Sequence, residues 1–341
     1  MANTDYSGTL ARAHWGGANA DLDIHIEAYE GDIEGSFRVA SMFRSSGLTT
    51  FKPISGTNTW RGDRVGGAVV KGRQSGVKLD QARIVNEKML ITVDTTSYIS
   101  TPMDYQDDWT SPDFQTEYSA EHGSAHAKAF DQAHIIQLIK AGAWTAPASL
   151  SASGAFFNGI QNTMTGYAAL VAAGDATSAA SAADLLVRRH KADLATFVKR
   201  DLGDSLSEFV SLIAPDAFNI LLDHNKLMNV DFQGGPAAGE NSFSKRRIAW
   251  LNGIRVIETP RFPTGAIASH ILGPAFNVSA AEAKAQMVTF LPSKTLVTVE
   301  AQPMTVRVWD DKQNFANVLD SYTLYTVGLK RGDCVAVVFS D

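Results

Sequence analysis

A single cysteine, Cys334, stands in the 341 residues. No internal disulfide can form, and no thiolate metal site assembles from cysteine alone. No run of about 18 apolar residues occurs, so nothing reads as a membrane span. The opening MANTDYSGTL carries neither the basic nor the apolar region of a secretion signal. These absences point to the cytoplasm, or to a place reached without the secretory route. Catalytic patterns are missing as well. There is no G-x-S-x-G elbow. The stretch GDRVGGAVVKG lacks the spacing of a phosphate loop, and GGPAAG at 234–239 lacks the Lys-Ser/Thr that would follow one. Neither fits G-x-G-x-x-G, so nucleotide binding finds no support. The net charge of −6 argues against a dedicated nucleic-acid binder, whose footprint is basic.

What is present is an ordinary globular composition, 45% hydrophobic, with room for one large domain or two modest ones. Its charge is unevenly spread. Residues 44–88 hold nine Lys/Arg against three Asp/Glu. Residues 21–34 hold six acids (Asp21, Asp23, Glu27, Glu30, Asp32, Glu34) and no base. Residues 94–121 hold seven acids, Asp107 and Asp108 among them, and again no base. The basic stretch also carries Gly62, Gly66, Gly67, Gly72 and Gly76. A Gly-rich basic segment makes no core of its own, and this one far exceeds the usual hairpin loop of about 2–5 residues. It reads either as a disordered insertion or as an arm lying on something else.

In chain order, residues 1–20 are small and polar and read as a flexible arm. A short helix is expected near Gly31–Ser41. Strand-forming residues flank the basic stretch: Leu48, Thr50 and Phe51 before it, Ile84, Val85, Leu90, Ile91 and Val93 after it. TSYISTPMDYQDDWTSPDF reads as a turn-rich bridge. Ser111-Pro112-Asp113 then opens a helix predicted over 113–141, with Gly142 as its stop. Phe114, Tyr118, Ala125, Ala129, Ala133 and Ile136 fall on one face of it. Such a helix is roughly 45 Å long, a spine rather than a local packing element. Residues 143–178 read as an Ala/Gly/Ser-rich loop with one short helix, and 178–202 as a second helix ended by Gly203. A buried strand over Glu208–Ile213 leads to Pro215-Asp216 and a helix over Ala217–Asp223. Residues 229–247 form a loop, and Asn252-Gly253 is a hairpin turn. An irregular stretch with a helical piece in SAAEAKA leads to short strands at 287–290, 296–299, 306–309, 321–327 and 334–339. Strands, long helices and strands again give an α+β fold class.

Few side chains suggest chemistry. His122 and His126 stand four apart on one helical face, where two imidazoles can hold zinc. The zincin pattern needs Glu after the first His, and Gly123 stands there. A solvated or subunit-facing surface is the plainer expectation. Cys334 sits in apolar CVAVVF and reads as an inert buried thiol. Arg188-Arg189-His190-Lys191 and Lys245-Arg246-Arg247 read as solvent-facing basic clusters, and the pairs Asp107-Asp108 and Asp310-Asp311 as loop acids. No catalytic, cofactor or metal site is expected, and no enzyme.

The order of segments carries a resemblance. SSGLTTFKPISGTNTW leads into the basic stretch, S-P-D-F opens the spine helix, and SLIAPDAFNILL is followed by a Gly-rich loop and WLNGIRVIETPRFP. This order resembles the major capsid protein of short-tailed (podovirus-type) phages, with the Hong Kong 97-like fold. The resemblance implies an N-arm at 1–42 and an extended E-loop at 43–90. It implies a peripheral domain at 91–203, with spine helix 113–141 and second helix 178–202. An axial domain at 204–290 and a return to the peripheral domain at 291–341 complete it. The chain would assemble with itself as hexamers and pentamers, in the host cytoplasm, into an icosahedral virion shell. Its other partners would be a separate scaffolding protein, a portal protein and double-stranded DNA held without sequence specificity, with no membrane. Arg61, Arg64, Lys71 and Arg73 of the E-loop would meet acids such as Asp21, Asp23, Glu27, Asp107 and Asp108 of another copy. Two other readings stay open: a metallohydrolase using His122 and His126, and an encapsulin-like compartment shell.

Overall fold

The computed structural model describes residues 41–105, 115–224, 227, 241, 246 and 248–341. Outside them lie the expected arm at 1–20, nearly all of the helix near Gly31–Ser41, the Ser111-Pro112-Asp113 start and most of the 229–247 loop. The strands are β1 (Thr50–Pro53), β2 (Thr59–Val65), β3 (Asn86–Thr92), β4 (Thr96–Asp104), β5 (Ile160–Met164) and β6 (Val210–Ile213). They continue with β7 (Trp250–Leu251), β8 (Ile254–Glu258), β9 (Ala285–Phe290), β10 (Leu296–Asp311), β11 (Ala316–Leu329) and β12 (Val335–Ser340). Three sheets result, in the orders β1-β10-β11-β4, β5-β12-β9-β6-β8-β7 and β2-β3. The described residues divide into two compact units, one of 41–58, 92–131 and 298–326, the other of 59–91, 132–297 and 327–341.

The first unit is built on the four-stranded sheet. β4 runs antiparallel to β11, pairing Ser100 with Asp320 and Tyr98 with Tyr322. The sequence expectation of a turn-rich bridge at 96–104 is therefore corrected to a strand. Its alternation is written in Ser and Thr rather than in apolar residues: Ser97 and Met103 are buried, Tyr98 and Ser100 exposed. Pro102 fits because β4 is an edge strand, where one side needs no ladder donor. The expected strands at 296–299 and 306–309 are one continuous strand of 16 residues. Phe130 of the long helix lies 6.3 Å from Phe51 and 4.9 Å from Tyr325, centroid to centroid. Next to it, the Asp131 carboxylate accepts from Ser41 Oγ at 2.8 Å, Met42 N at 2.8 Å and Phe43 N at 3.2 Å. A distant acid thus satisfies the open amides at the start of the short helix Met42–Ser45.

The second unit holds the six-stranded sheet. β12, nearly all apolar, pairs parallel with β5 and antiparallel with β9. β6 continues the sheet, antiparallel to β9 and parallel to β8. β5 corrects the expected loop over 143–178, because IQNTM is too polar to announce a strand. Met164, Leu186, Ile213, Phe218, Leu251, Met287 and Val338 share one core. The second helix spans Ala176–Lys199 rather than 178–202. Asp175 caps it, accepting from Thr177 N and Ser178 N at 3.0 Å each. It ends before Gly203 because Asp201 turns left-handed, at φ 58°. Pro215 is the first residue of the helix Pro215–Leu221. Asn252 and Gly253 take φ 51° and 83°, the pair of positive values a type I′ hairpin needs.

The long helix is observed over Gln115–Gly142. Its residues through Asp131 belong to the first unit and those from Gln132 to the second. A single apolar face was expected. Instead Ala133, His134, Ile135, Ile136, Leu138 and Ile139 are all buried, so burial reaches several faces of this half, with Gln132, Gln137 and Lys140 partly exposed.

Candidate intersubunit arm

The basic stretch is an arm on a seat. β2 and β3 pair as a two-stranded ribbon, and the chain between them, 66–85, has no ladder of its own. Residues 68–84 are exposed throughout. Val70 is 98% exposed, and Val69, Val77, Leu79 and Ile84 are also open to solvent. Large apolar side chains in a row in water are unusual on the surface of a lone chain. Charge in the sequence points to the cations here, whereas Val69, Val70, Val77 and Leu79 fall in no apolar pattern, and Ile84, expected in the flanking strand, lies before β3. A cleft of about 1170 Å³ opens between the tip and Ser149, Ala152 and Ser153.

The root of the arm is tied down. Gly66 N donates to Val85 O at 2.8 Å, closing the ribbon. Gly67 N donates to Ser153 Oγ at 3.1 Å, and that hydroxyl donates to Leu150 O at 2.6 Å. A Cβ on Gly66 would collide with Val85 O at 2.6 Å, and one on Gly67 would crowd Ser153 O at 3.0 Å. Arg64 Nε donates to Lys330 O at 2.8 Å and Nη2 to Leu329 O at 3.0 Å. Its guanidinium lies 5.4 Å from the centre of the Trp144 ring. Burial lowers its pKa from the usual arginine value, opposed by the charges of Glu87 and Asp333.

The four cations named from the sequence are thus not one patch. Arg64 is half-buried against its own chain, while Arg61, Lys71 and Arg73 are exposed. Lys71 pairs with Asp80, and Arg73 Nε donates to Val77 O, both within the tip. The proposed acidic partners Asp21, Asp23, Glu27, Asp107 and Asp108 lie outside the described residues. No local sequence signal marks Trp144, Ser153 or the 329–330 carbonyls as the seat, since they stand about 80 to 270 residues away in the chain.

His122 and His126 do not form the expected open surface: they are 6% and 5% exposed. His122 Nε2 is 2.9 Å from Thr101 Oγ1, and its Nδ1 is 3.3 Å from Ser321 Oγ. His126 Nε2 is 3.0 Å from the same Ser321 Oγ. The rings join helix to sheet through hydroxyls. Among the described residues, no group of three His, Cys, Asp or Glu side chains is placed to hold a metal ion. Cys334 is fully buried, and burial pushes its thiol up to about 12, so it is unreactive.

No family profile matches the chain, and no curated protein does. Solved structures do. The asymmetric unit of the bacteriophage PhiM1 mature capsid is 42% identical, with TM-score 0.76, over 99% of this chain and 98% of that one. The capsid of cyanophage P-SCSP1u matches at TM-score 0.72 and 16% identity over 89% and 88% of the two chains. A structure from Mycobacterium phage Che8 matches at TM-score 0.54 and 17% identity over 87% and 88%. The last two share the fold. The first, at its identity and coverage, places the chain in a family: it belongs to the phage major capsid proteins of the Hong Kong 97-like fold, a structural component of the virion and not an enzyme.

Proposed function

We propose that this capsid protein assembles as hexamers and pentamers of a short-tailed phage shell around double-stranded DNA, with the E-loop 43–90 laid over a neighbouring copy. The arm tip carries this reading, because residues 68–84 expose apolar and basic side chains that their own chain leaves uncovered. On this reading 1–42 is an N-arm, 204–290 an axial domain, and 91–203 with 291–341 the peripheral domain. Arg61, Lys71 and Arg73 meet acids of another copy, drawn from Asp21, Asp23, Glu27, Asp107 and Asp108. A net charge of −6 suits a container for DNA, since each basic phosphate contact adds salt-dependent grip. A separate scaffolding protein and a portal protein complete the assembly. Co-expression with the scaffolding protein of the same phage, followed by electron microscopy, is the test. Closed icosahedral shells are expected, and a strictly monomeric product under every assembly condition would refute the proposal.

A further inference from the structure

We infer that Arg64 is the pin that sets the direction of the arm before any neighbour is present. The inference rests on the reading that the arm contacts a second copy, and it assigns Arg64 a different task from the other cations. Within residues 59–91, Arg64 is the half-buried basic side chain, bonded to carbonyls outside the arm, while Arg61, Lys71, Arg73, Lys78, Arg83 and Lys88 are exposed and the bonds of Lys71 and Arg73 stay within the tip.

The pin belongs to a closed circuit of contacts. Arg64 holds the carbonyls of Leu329 and Lys330, where β11 ends. The next residue, Arg331, donates to Ala155 O at 3.0 Å and lies 4.2 Å from the centre of the Phe156 ring. Arg331 is itself paired with Asp333, which is 1% exposed. From Ala155 the chain runs back to Ser153, whose hydroxyl receives Gly67 N. Trp144 lies under the Arg64 guanidinium and touches the turn too, since a Cβ on Gly332 would sit 2.5 Å from its Cβ. Arg64 and Gly67 therefore fix the ribbon at two points on one braced segment. Beyond Gly67 every residue from Ala68 to Ile84 is exposed, and the side-chain bonds of Lys71 and Arg73 stay within the tip.

Two fixed points on a two-stranded ribbon define a direction. A planar guanidinium suits this task, because its donors hold two successive carbonyls in one plane while its face rests on an indole. An arm fixed at the root presents its tip to a neighbour without ordering the whole ribbon on contact, so less conformational entropy opposes capture.

The test is hydrogen exchange on the full unassembled chain, together with the rate of assembly with scaffolding protein, for Arg64→Lys and Ser153→Ala. Lysine keeps the charge but not the fork. Each variant is expected to speed exchange at the Gly66 and Gly67 amides about tenfold, the scale of one lost hydrogen bond to a charged group or its neighbour, and to slow assembly. Wild-type exchange in a folded Arg64→Lys chain overturns the inference, as does faster exchange with an unchanged assembly rate. If circular dichroism shows that Arg64→Lys does not fold, Ser153→Ala decides by the same two readouts. Replacing residues 69–84 with a Gly-Ser linker tests the underlying reading separately. Shells that still close at the wild-type rate would remove the arm contact itself, whereas lost assembly with unchanged exchange at the root sustains it.

Discussion

His126 illustrates how a single residue links burial to pH. Desolvation lowers its pKa to about 4, opposed by a hydrogen bond to the Ser321 backbone and helped by the neighbouring His122. Desolvation lowers His122 as well, against the charge of Asp320. In the unfolded chain a histidine takes its proton near 6.5. Between pH 6.5 and 4 the unfolded state therefore binds a proton that the folded state refuses, and stability falls as pH falls. The full effect at His126 is on the order of 3 kcal/mol. Chemical denaturation across that window should show a shallower pH slope for His126→Gln than for wild type, and an equal slope would refute the assignment. Only part of this was legible in the sequence. The i, i+4 spacing of the two histidines is local and was read correctly, but what they face is not. Ser321 lies 195 residues from His126, so only the fold turns an apparent metal pair into a bridge between helix and sheet.

Among elements, the long helix's end packs against the start of β5 through glycines on both sides, Gly142 and Gly159, and Gly159 is the tighter. A Cβ on Gly159 would sit 2.1 Å from Ala141 O and 2.5 Å from Gly142 O, both backbone atoms with little freedom to yield. Gly159→Ala is expected to cost ~3 kcal/mol or more. The expected readout is a large fall in melting temperature or loss of soluble chain, and wild-type stability would show that the helix end yields more easily than its geometry implies. Legibility at this scale followed chemistry. Asn252-Gly253 and Pro215 were read from sequence because left-handed turns and first helical turns select those residues locally. β4 and β5 were missed because Ser, Thr and Gln fill their alternating positions, and it is pairing with β11 and β12 that makes them strands. The long helix was placed to within a residue at its C-terminal end, but its burial on several faces was not foreseen. Ala-rich segments with Ile and Leu on several sides do not say how many neighbours will cover them.

For the whole molecule, the unequal spread of charge becomes an assembly prediction. Arg61, Lys71 and Arg73 are exposed on the arm, and no core depends on them. Replacing all three by Glu should abolish or strongly slow shell formation while leaving the circular dichroism spectrum unchanged. Raising the salt concentration should weaken wild-type assembly in the same sense, since exposed charges are screened beyond about 8 Å at physiological ionic strength. Assembly of the triple variant at the wild-type rate would assign the contact to Val69, Val70, Val77 and Leu79 instead.

By itself the sequence determined that a long, glycine-rich basic segment with no core of its own lies between two strands, that a long helix follows, and that the fold is α+β. Those features are set by glycine content, charge and short-range periodicity, which act within a few residues. The tertiary structure decided which arm residues are free and which are held. Arg61 and Arg64 are three positions apart in one basic segment, and composition treats them alike. Arg64 alone meets the carbonyls of Leu329 and Lys330 and the face of Trp144. Those groups come from chain segments brought beside the arm only when β11 and the end of the long helix have folded, so no reading of the arm's own residues could identify its pin.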